Sequence, residues 1–284
     1  MDKTRKIRRI IKSKPTLEGA GVHLNRVFGF NEPKGFDPFL LLDDFRSDIP
    51  ENYLKGFPWH PHRGIETITY ILDGNVEHGD SLGNSGVIGQ GDVQWMTAGS
   101  GIIHQEMPKG DEAGRMGGFQ LWANLPAAQK MMAPRYREVK SSQIPIVTSM
   151  SGATMRVICG EVEGTKGPVR DIVTDPEYLD VTLPAGSEFS HPTSKEHTVL
   201  AYVIEGQAFF DAEKKTPMSN GALAQFETGE EVVAFATDVP ARFLLLSGKP
   251  IGEPVAWYGP IVMNTQRELE IAFEEYRNGT FIKK

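Results

Sequence analysis

The chain has 284 residues, which exceeds the commonest single-domain size and favours two domains or one large β architecture. The formal net charge of −7 excludes a nucleic-acid or anionic-membrane surface spread over the whole molecule, because such surfaces accumulate lysine and arginine. Cys159 is the only cysteine, so an intramolecular disulfide is excluded, and no apolar stretch is long enough to span a bilayer. We therefore expect a cytoplasmic protein with no membrane partner and no direct nucleic-acid partner.

The first residues form a basic segment, with seven lysines and arginines between residues 3 and 14. Ile7, Ile10 and Ile11 are interspersed among them, which favours a first strand whose basic side chains are solvated. A localisation or nucleic-acid signal is the alternative meaning of a short basic run.

Short runs of β-branched and aromatic residues, separated by glycine, asparagine and aspartate, predict antiparallel strands. Residues 67–72 are one such run, and Asp73 and Gly74 after it suit a tight hairpin turn. A related run at residues 199–204 is followed by Gly206, 132 positions after Gly74. The sequence therefore predicts an all-β chain made of two copies of one β module.

Proline and polar residues interrupt the strand pattern between residues 131 and 142, which places a boundary there. We predict an N-terminal domain of residues 1–135 and a C-terminal domain of residues 136–284. Near the end, Thr265 and Glu268 have the spacing of a capping box, which predicts a short C-terminal helix. Leu269, Ala272, Phe273 and Tyr276 would share its packed face.

Two pairs of polar residues carry the strongest signal for chemistry. His60 and His62, and likewise His104 and Glu106, are two residues apart, so each pair lies on one face of a strand, with roughly 7 Å along the strand between its members. Two such strands side by side would aim three imidazoles and one carboxylate at a single point. Histidines that are merely satisfied core or surface residues are the alternative, and we interpret His23, His78, His191 and His197 in that way.

Imidazole and carboxylate ligands suit one divalent ion such as Fe, Mn, Co, Ni, Cu or Zn. Four protein ligands around an octahedral ion leave two positions for water, a substrate oxygen or O2. The four residues therefore predict a catalytic metal site in the N-terminal domain.

The segments 59–67 (WHPHRGIET) and 91–108 (GDVQWMTAGSGIIHQEMP) resemble the two signatures of the pirin family. The likeness continues through residues 121–125 (LWANL) and 259–265 (GPIVMNT), and so covers nearly the whole chain. Pirins are bicupins, so the resemblance implies two tandem cupin (jelly-roll) barrels with the short helix at the end.

The resemblance also implies that His60, His62, His104 and Glu106 hold the metal, with Fe(II) as the usual occupant. In many other cupins the glutamate four residues after the second histidine is a ligand, and Glu66 has that place here. We expect Glu66 to point inward and to orient a ligand or a water molecule.

Shifting the metal-binding pattern by the repeat offset tests the second module for a similar site. Pro192 and Ser194 then correspond to His60 and His62, and Arg242 and Leu244 to His104 and Glu106. No ligand set remains, so we expect a degenerate C-terminal cupin that serves as scaffold.

Some members of this family resemble quercetin 2,3-dioxygenases, which open the heterocyclic ring of a flavonol with O2 and release carbon monoxide. An aromatic small molecule and O2 would then be the substrates, with Glu106 or Glu66 as the proton acceptor. Trp59, Trp95 and Met107 flank the ligands and would belong to the pocket wall or to the core. The alternative is a non-catalytic, iron-binding, redox-responsive regulator that binds a protein partner. Sugar isomerisation is a third, weaker option.

Overall fold

The computed structural model describes residues 3–32 and 35–283, and it consists almost entirely of antiparallel strands. The first twelve strands are β1 Ile7–Lys12, β2 Lys14–Glu18, β3 Val22–Phe28, β4 Phe39–Asp44, β5 Phe57–His62, β6 Ile65–Asp73, β7 Asn75–Asp80, β8 Ser85–Ile88, β9 Val93–Thr97, β10 Ile102–Lys109, β11 Gly117–Asn124 and β12 Arg135–Val139. The remaining elements are β13 Ile146–Thr148, β14 Thr154–Cys159, β15 Glu161–Val162, β16 Thr165–Lys166, β17 Glu177–Leu183, β18 Glu188–Pro192, β19 Thr198–Phe209, β20 Met218–Ser219, β21 Ala222–Phe226, β22 Glu231–Gly248, β23 Ala256–Tyr258, β24 Ile261–Met263 and the helix α1 Gln266–Arg277. Two 3-10 turns lie at Pro50–Asn52 and Ser141–Gln143. The expectation of an all-β chain with one short C-terminal helix is confirmed for these residues.

Backbone contacts divide the chain into two compact units whose composition differs from the predicted domains 1–135 and 136–284. One unit, called the first unit below, combines Lys14–Ser141 with Ile251–Lys284. The second unit combines Met1–Ser13 with Ser142–Pro250. The N-terminal segment belongs to the second unit because β1 pairs with β21. The C-terminal segment belongs to the first unit because β24 lies beside β5. Pairing between strands so distant in sequence leaves no signal in the local residue pattern. The predicted domains therefore grouped each terminal segment with the residues that adjoin it in the chain.

The first unit is built from two sheets that enclose a cavity. The seven-stranded sheet has the order β12-β9-β6-β11-β4-β3-β2, and the four-stranded sheet has the order β5-β10-β7-β8. β6 lies between β9 and β11 in the interior of the larger sheet, and its first eight residues are all buried. The predicted hairpin follows β6, where Gly74 has a φ of +73°, a conformation that glycine adopts without a steric penalty.

The main part of the second unit is a nine-stranded sheet that closes around an apolar interior, and β15 and β16 form a separate two-stranded sheet. β22 is 18 residues long and pairs with β17, β18 and β19, so it bends across the barrel. Four phenylalanines fill the interior: Phe189, Phe210, Phe226 and Phe243. This packing leaves the interior to side chains that do not bind metal.

The basic N-terminal segment is a strand in the second unit, as the first of its two interpretations predicts. Along β1 the exposed side chains alternate with half-buried ones. Arg5 differs from a solvated side chain because it is 2% exposed, with its guanidinium donating to Thr193 Oγ1 and to the carbonyls of Ser194 and Glu227. These bonds compensate for the loss of water around the charge.

The predicted capping box starts the helix α1. The Thr265 hydroxyl accepts from the amide of Glu268, whose carboxylate accepts from the amide of Thr265. Leu269 and Ala272 are buried, and they pack with Ile261 and other apolar residues of the first unit. Among the residues that the structure describes, no helix has the length and apolarity needed to cross a membrane.

Candidate metal centre

Two adjacent strands bring the three predicted histidine ligands together. β5 and β10 are antiparallel, and their register places His104 directly opposite His60. His62 lies two residues further along β5 and therefore on the same face as His60. One ring nitrogen of each of the three histidines lies within 4.8 Å of the others. Such a spacing lets one ion contact all three nitrogens.

Backbone carbonyls fix which nitrogen of two imidazoles is available for a metal. The Nδ1 atom of His60 lies 2.9 Å from the carbonyl oxygen of Pro58, and that of His62 lies 3.0 Å from the carbonyl oxygen of Pro260. A carbonyl only accepts, so Nδ1 carries the proton and Nε2 carries the lone pair. The two Nε2 atoms are 3.1 Å apart, so two lone pairs converge on one region.

Burial keeps the imidazoles in the neutral form that binds metal. It lowers the pKa of His62 and of His104 well below the ordinary value, and the neighbouring histidines lower both further. The pKa of His60 is lowered by burial as well, while its bond to Pro58 opposes the shift. Neutral imidazoles keep their lone pairs, which is the state a divalent ion requires.

The surroundings of the His104 imidazole indicate whether these residues suit a metal ion. Its side chain is 1% exposed, and both of its ring nitrogens are buried without a hydrogen-bond partner among the described residues. An unpaired buried nitrogen costs free energy, so such a residue calls for an explanation. A cation at the centre of the three imidazoles would bind one of these nitrogens, and the donor set therefore fits a borderline divalent ion.

Glu106 lies next to the imidazole cluster rather than within it. Its Oε2 atom is 4.0 Å from His104 Nε2, and its Oε1 atom accepts a hydrogen bond from the Thr69 hydroxyl at 3.1 Å. Burial raises the pKa of the Glu106 carboxyl to about 7, while the bond from Thr69 opposes that shift. Of the two carboxylate oxygens, Oε2 is therefore the one placed to serve as a fourth ligand to an ion held by the imidazoles.

Glu66 takes a position different from the expected one. Its carboxylate accepts from the Thr97 hydroxyl at 2.6 Å, and burial raises its pKa. Thr69, three residues along the same strand, lines the cavity, so side-chain alternation puts Glu66 on the opposite face of β6. The expectation that Glu66 points inward assumed one continuous strand from His62, whereas β5 ends at His62 and Gly64 turns the chain with a φ of +78°.

A cavity of about 530 Å³ opens onto the histidines from the side of the larger sheet. His60, His62 and Glu106 belong to its wall, together with the aromatic residues Trp122 and Trp257. Further wall residues come from distant parts of the first unit: Arg26, Phe30, Asp43, Tyr53, Phe57, Thr69 and Gln120. Apart from the predicted ligands, only Trp122 among these named wall residues lies in a segment that resembles a family motif. The sequence therefore contains no signal for the others. None of the suggested flanking residues Trp59, Trp95 and Met107 lines the cavity. Trp95 is buried in the core, which was the second of the two expectations, whereas Trp59 is 52% exposed.

The C-terminal segment forms part of the metal centre. Pro260 orients His62 through its carbonyl, and the amide of Val262 donates to the carbonyl of Arg63. The buried guanidinium of Arg63 donates to the carbonyl of Phe281 and pairs with Glu275 at 2.7 Å. Residues between Pro260 and Phe281 therefore hold the end of β5 in place.

Lys130 also holds this turn, because its buried Nζ atom donates to the carbonyl of Gly64 at 2.8 Å and to Asn124 Oδ1 at 2.6 Å. Burial lowers the Lys130 pKa to about 7, against the raising effect of Glu253 and Glu268. In the unfolded chain a lysine has a pKa of about 10.4. Between about pH 7 and pH 10.4 the unfolded chain therefore binds more protons than the folded protein does. We expect the free energy of unfolding to rise with pH in this window.

The substitution Lys130→Met should flatten this rise, as measured by urea unfolding at several pH values between 7 and 10. Substitution of the exposed Lys195 by methionine is the matched control and should leave the slope as in the wild type. Parallel pH profiles for the wild type and Lys130→Met would contradict the assignment.

The second unit has no comparable group of ligands within the described ranges, where the three histidines form the one cluster able to hold an ion. Arg242 forms ion pairs with Asp180 and Glu205, and Leu244 is fully buried, whereas its neighbours Phe243 and Leu245 belong to the apolar interior. The repeat offset placed them opposite His104 and Glu106, but this part of β22 pairs with β17 and β19 in the way that β11 pairs with β4 and β6. That part of the expected correspondence is therefore wrong, since His104 and Glu106 lie on β10, which pairs with β5 and β7.

Comparison with known proteins agrees with this arrangement. The Pirin family profile matches residues 21–123, and that of the Pirin C-terminal cupin domain matches residues 178–282. A pirin-like protein of Caulobacter vibrioides is 47% identical, covering 98% of this chain and 99% of the relative. A Pseudomonas aeruginosa protein, named provisionally as a quercetin 2,3-dioxygenase, is 44% identical, with 93% of this chain and 94% of the relative covered.

The crystal structure of a quercetin 2,3-dioxygenase from Acinetobacter baumannii superposes with a TM-score of 0.89 at 32% identity, covering 98% of each chain. The match extends over both units and confirms two cupin-type domains. Shared sequence over nearly the full length and a shared fold lead to one conclusion. The chain belongs to the pirin family of bicupin proteins.

Proposed function

We propose that this protein is a metal-dependent dioxygenase that opens the heterocyclic ring of a flavonol such as quercetin with O2 and releases carbon monoxide. The observation that supports it best is the convergence of the neutral imidazoles of His60, His62 and His104 at the wall of an aromatic-lined cavity. Fe(II) is the proposed metal, with Mn, Co, Ni, Cu or Zn as alternatives. The names of the Pseudomonas and Acinetobacter relatives support the same reaction class.

The size and lining of the cavity suit a planar aromatic substrate. Its volume of about 530 Å³ lies within the range of small-molecule sites, roughly 300–1,000 Å³. Trp122 and Trp257 present indole rings whose centroids are 5.9 Å apart, and Trp122 meets the ring of His62 edge-on at 5.0 Å. A flat ring placed against these indoles would lie next to the metal ligands.

Four residues would hold the ion in this proposal: His60, His62, His104 and Glu106. When bound, a divalent ion would polarise the hydroxyl and carbonyl oxygens of the substrate and mediate electron transfer to O2. Glu106 lies in the cavity wall, where its carboxylate would accept the proton of the substrate hydroxyl. Glu66, hydrogen-bonded to Thr97 on the other face of β6, has no role in this step.

The test is reconstitution of the metal-free protein with Fe(II) and with each alternative metal, followed by assay with quercetin. We expect loss of quercetin absorbance, O2 consumption and carbon monoxide release in equal amounts, and we expect a chelator to abolish all three. Two controls accompany the assay. The metal-free protein should have no activity, and the second-unit variant His191→Ala should have full activity.

A protein that binds one ion per chain yet turns over no flavonol with any metal would contradict the dioxygenase proposal. That outcome would favour the non-catalytic, iron-binding regulator, which predicts a protein partner retained under only one of oxidising or reducing conditions.

A further inference from the structure

Beyond the ligands themselves, a short chain of hydrogen bonds connects the cavity wall to Glu106. We propose that Thr69 and Gln120 are positioning residues that hold the Glu106 carboxylate in its metal-binding orientation. This inference rests on the proposed role of Glu106 as a ligand. It assigns a function to two residues outside both histidine motifs.

The two oxygens of the Glu106 carboxylate have different surroundings. Oε1 is bonded to the Thr69 hydroxyl at 3.1 Å, whereas Oε2 lies 4.0 Å from His104 Nε2. Holding one carboxylate oxygen leaves the other directed at the imidazole cluster. The bond from Thr69 thereby selects Oε2 as the oxygen for the metal.

The strand arrangement makes this bond a connection between the two sheets. Glu106 belongs to β10 of the four-stranded sheet, whereas Thr69 belongs to β6 of the seven-stranded sheet. Glu106 is 8% exposed and Thr69 is 3% exposed, so water competes little for the bond. The position of the carboxylate therefore depends on the larger sheet as well as on its own strand.

Gln120 fixes the direction of the Thr69 hydroxyl. It lies directly opposite Thr69 in the β6–β11 register, and its side-chain oxygen Oε1 lies 2.7 Å from the Thr69 hydroxyl oxygen. A hydroxyl has one hydrogen, and a carboxylate only accepts, so Thr69 donates to Glu106. With that hydrogen used, Gln120 must donate through its amide nitrogen, which a half-turn of the amide places at the same point.

Gln120 also lines the cavity, so the chain from Gln120 through Thr69 to Glu106 begins where a substrate would bind. Because each residue in the chain holds the next one by a hydrogen bond, the loss of either positioning residue frees the Glu106 carboxylate to rotate. Outer partners that orient metal ligands typically change metal affinity by roughly 10- to 100-fold when they are removed.

The experiment measures Co(II) affinity by chelator competition and the visible spectrum of the Co(II) protein, without substrate or O2. We expect Thr69→Val to weaken affinity by about 10- to 100-fold with an altered spectrum, and Thr69→Ser to restore both. Gln120→Leu should weaken affinity in the same direction but less. Thr182→Val, in β17 of the second unit, is the matched control and should bind as the wild type does.

A double-mutant cycle separates positioning from general packing. In a Glu106→Ala background, Thr69→Val should cause no further loss of affinity, because its effect passes through the carboxylate. Wild-type affinity and spectrum in Thr69→Val would overturn the proposal, as would an equal loss in both backgrounds. The absence of flavonol turnover would leave this metal-binding result unchanged, so the two proposals fail separately.

Discussion

His104→Leu is expected to abolish binding of a divalent ion while leaving the metal-free protein at least as stable as the wild type. Both ring nitrogens of His104 are buried without a partner among the described residues, and each such atom costs roughly 1–3 kcal/mol. Leucine has a similar size and no polar atoms, so it removes this cost along with the ligand. Metal analysis after dialysis and thermal unfolding of the metal-free protein measure the two effects.

The control for His104→Leu is His23→Leu, which removes an exposed imidazole on β3, away from the cluster. It should retain one ion per chain. One ion per chain in His104→Leu would exclude His104 as a ligand. A metal-free His104→Leu protein less stable by more than about 2 kcal/mol would contradict the interpretation that the buried nitrogens are a cost in the absence of metal.

Gly64→Ala is expected to destabilise the protein by more than about 3 kcal/mol and to weaken metal binding. Gly64 has a φ of +78°, and a Cβ atom there would overlap the carbonyl oxygen of Val262. Relief of that overlap displaces β24, and with it the carbonyl of Pro260 that orients His62. Denaturant unfolding and Co(II) affinity measure both consequences.

Gly83→Ala separates the steric overlap from the backbone strain. Gly83 has a similar φ of +89°, but a Cβ atom there would meet nothing within 4 Å. We expect a loss of only about 1–2 kcal/mol and unchanged metal affinity. Equal destabilisation by the two substitutions would show that Val262 does not crowd Gly64.

The histidine positions could be predicted from the sequence because the rule that places them is local. Side chains alternate along a strand, so His60 and His62 share a face, and the structure adds only the pairing of His104 with His60. The capping box at Thr265 was equally predictable, since it depends on residues three positions apart.

Features that depend on distant segments could not be predicted in this way. The orientation of Glu66 depends on the turn at Gly64, which interrupts the alternation that the sequence pattern assumes. The cavity wall combines Arg26 of β3 with Trp257 of β23, and no spacing rule relates residues so far apart. The role of Thr69 appears only once two sheets face each other.

Because residues 251–284 belong to the first unit, that unit can be completed only after the second unit has been synthesised. The ribosome synthesises His60, His62 and His104 early, but the Pro260 carbonyl that orients His62 follows the entire second unit in the chain. The anchor of Arg63, at the carbonyl of Phe281, lies still further along the chain. Assembly of the candidate metal centre therefore requires that residues 260–281 have been synthesised, and a nascent chain that stops at residue 250 carries the three histidines without their support.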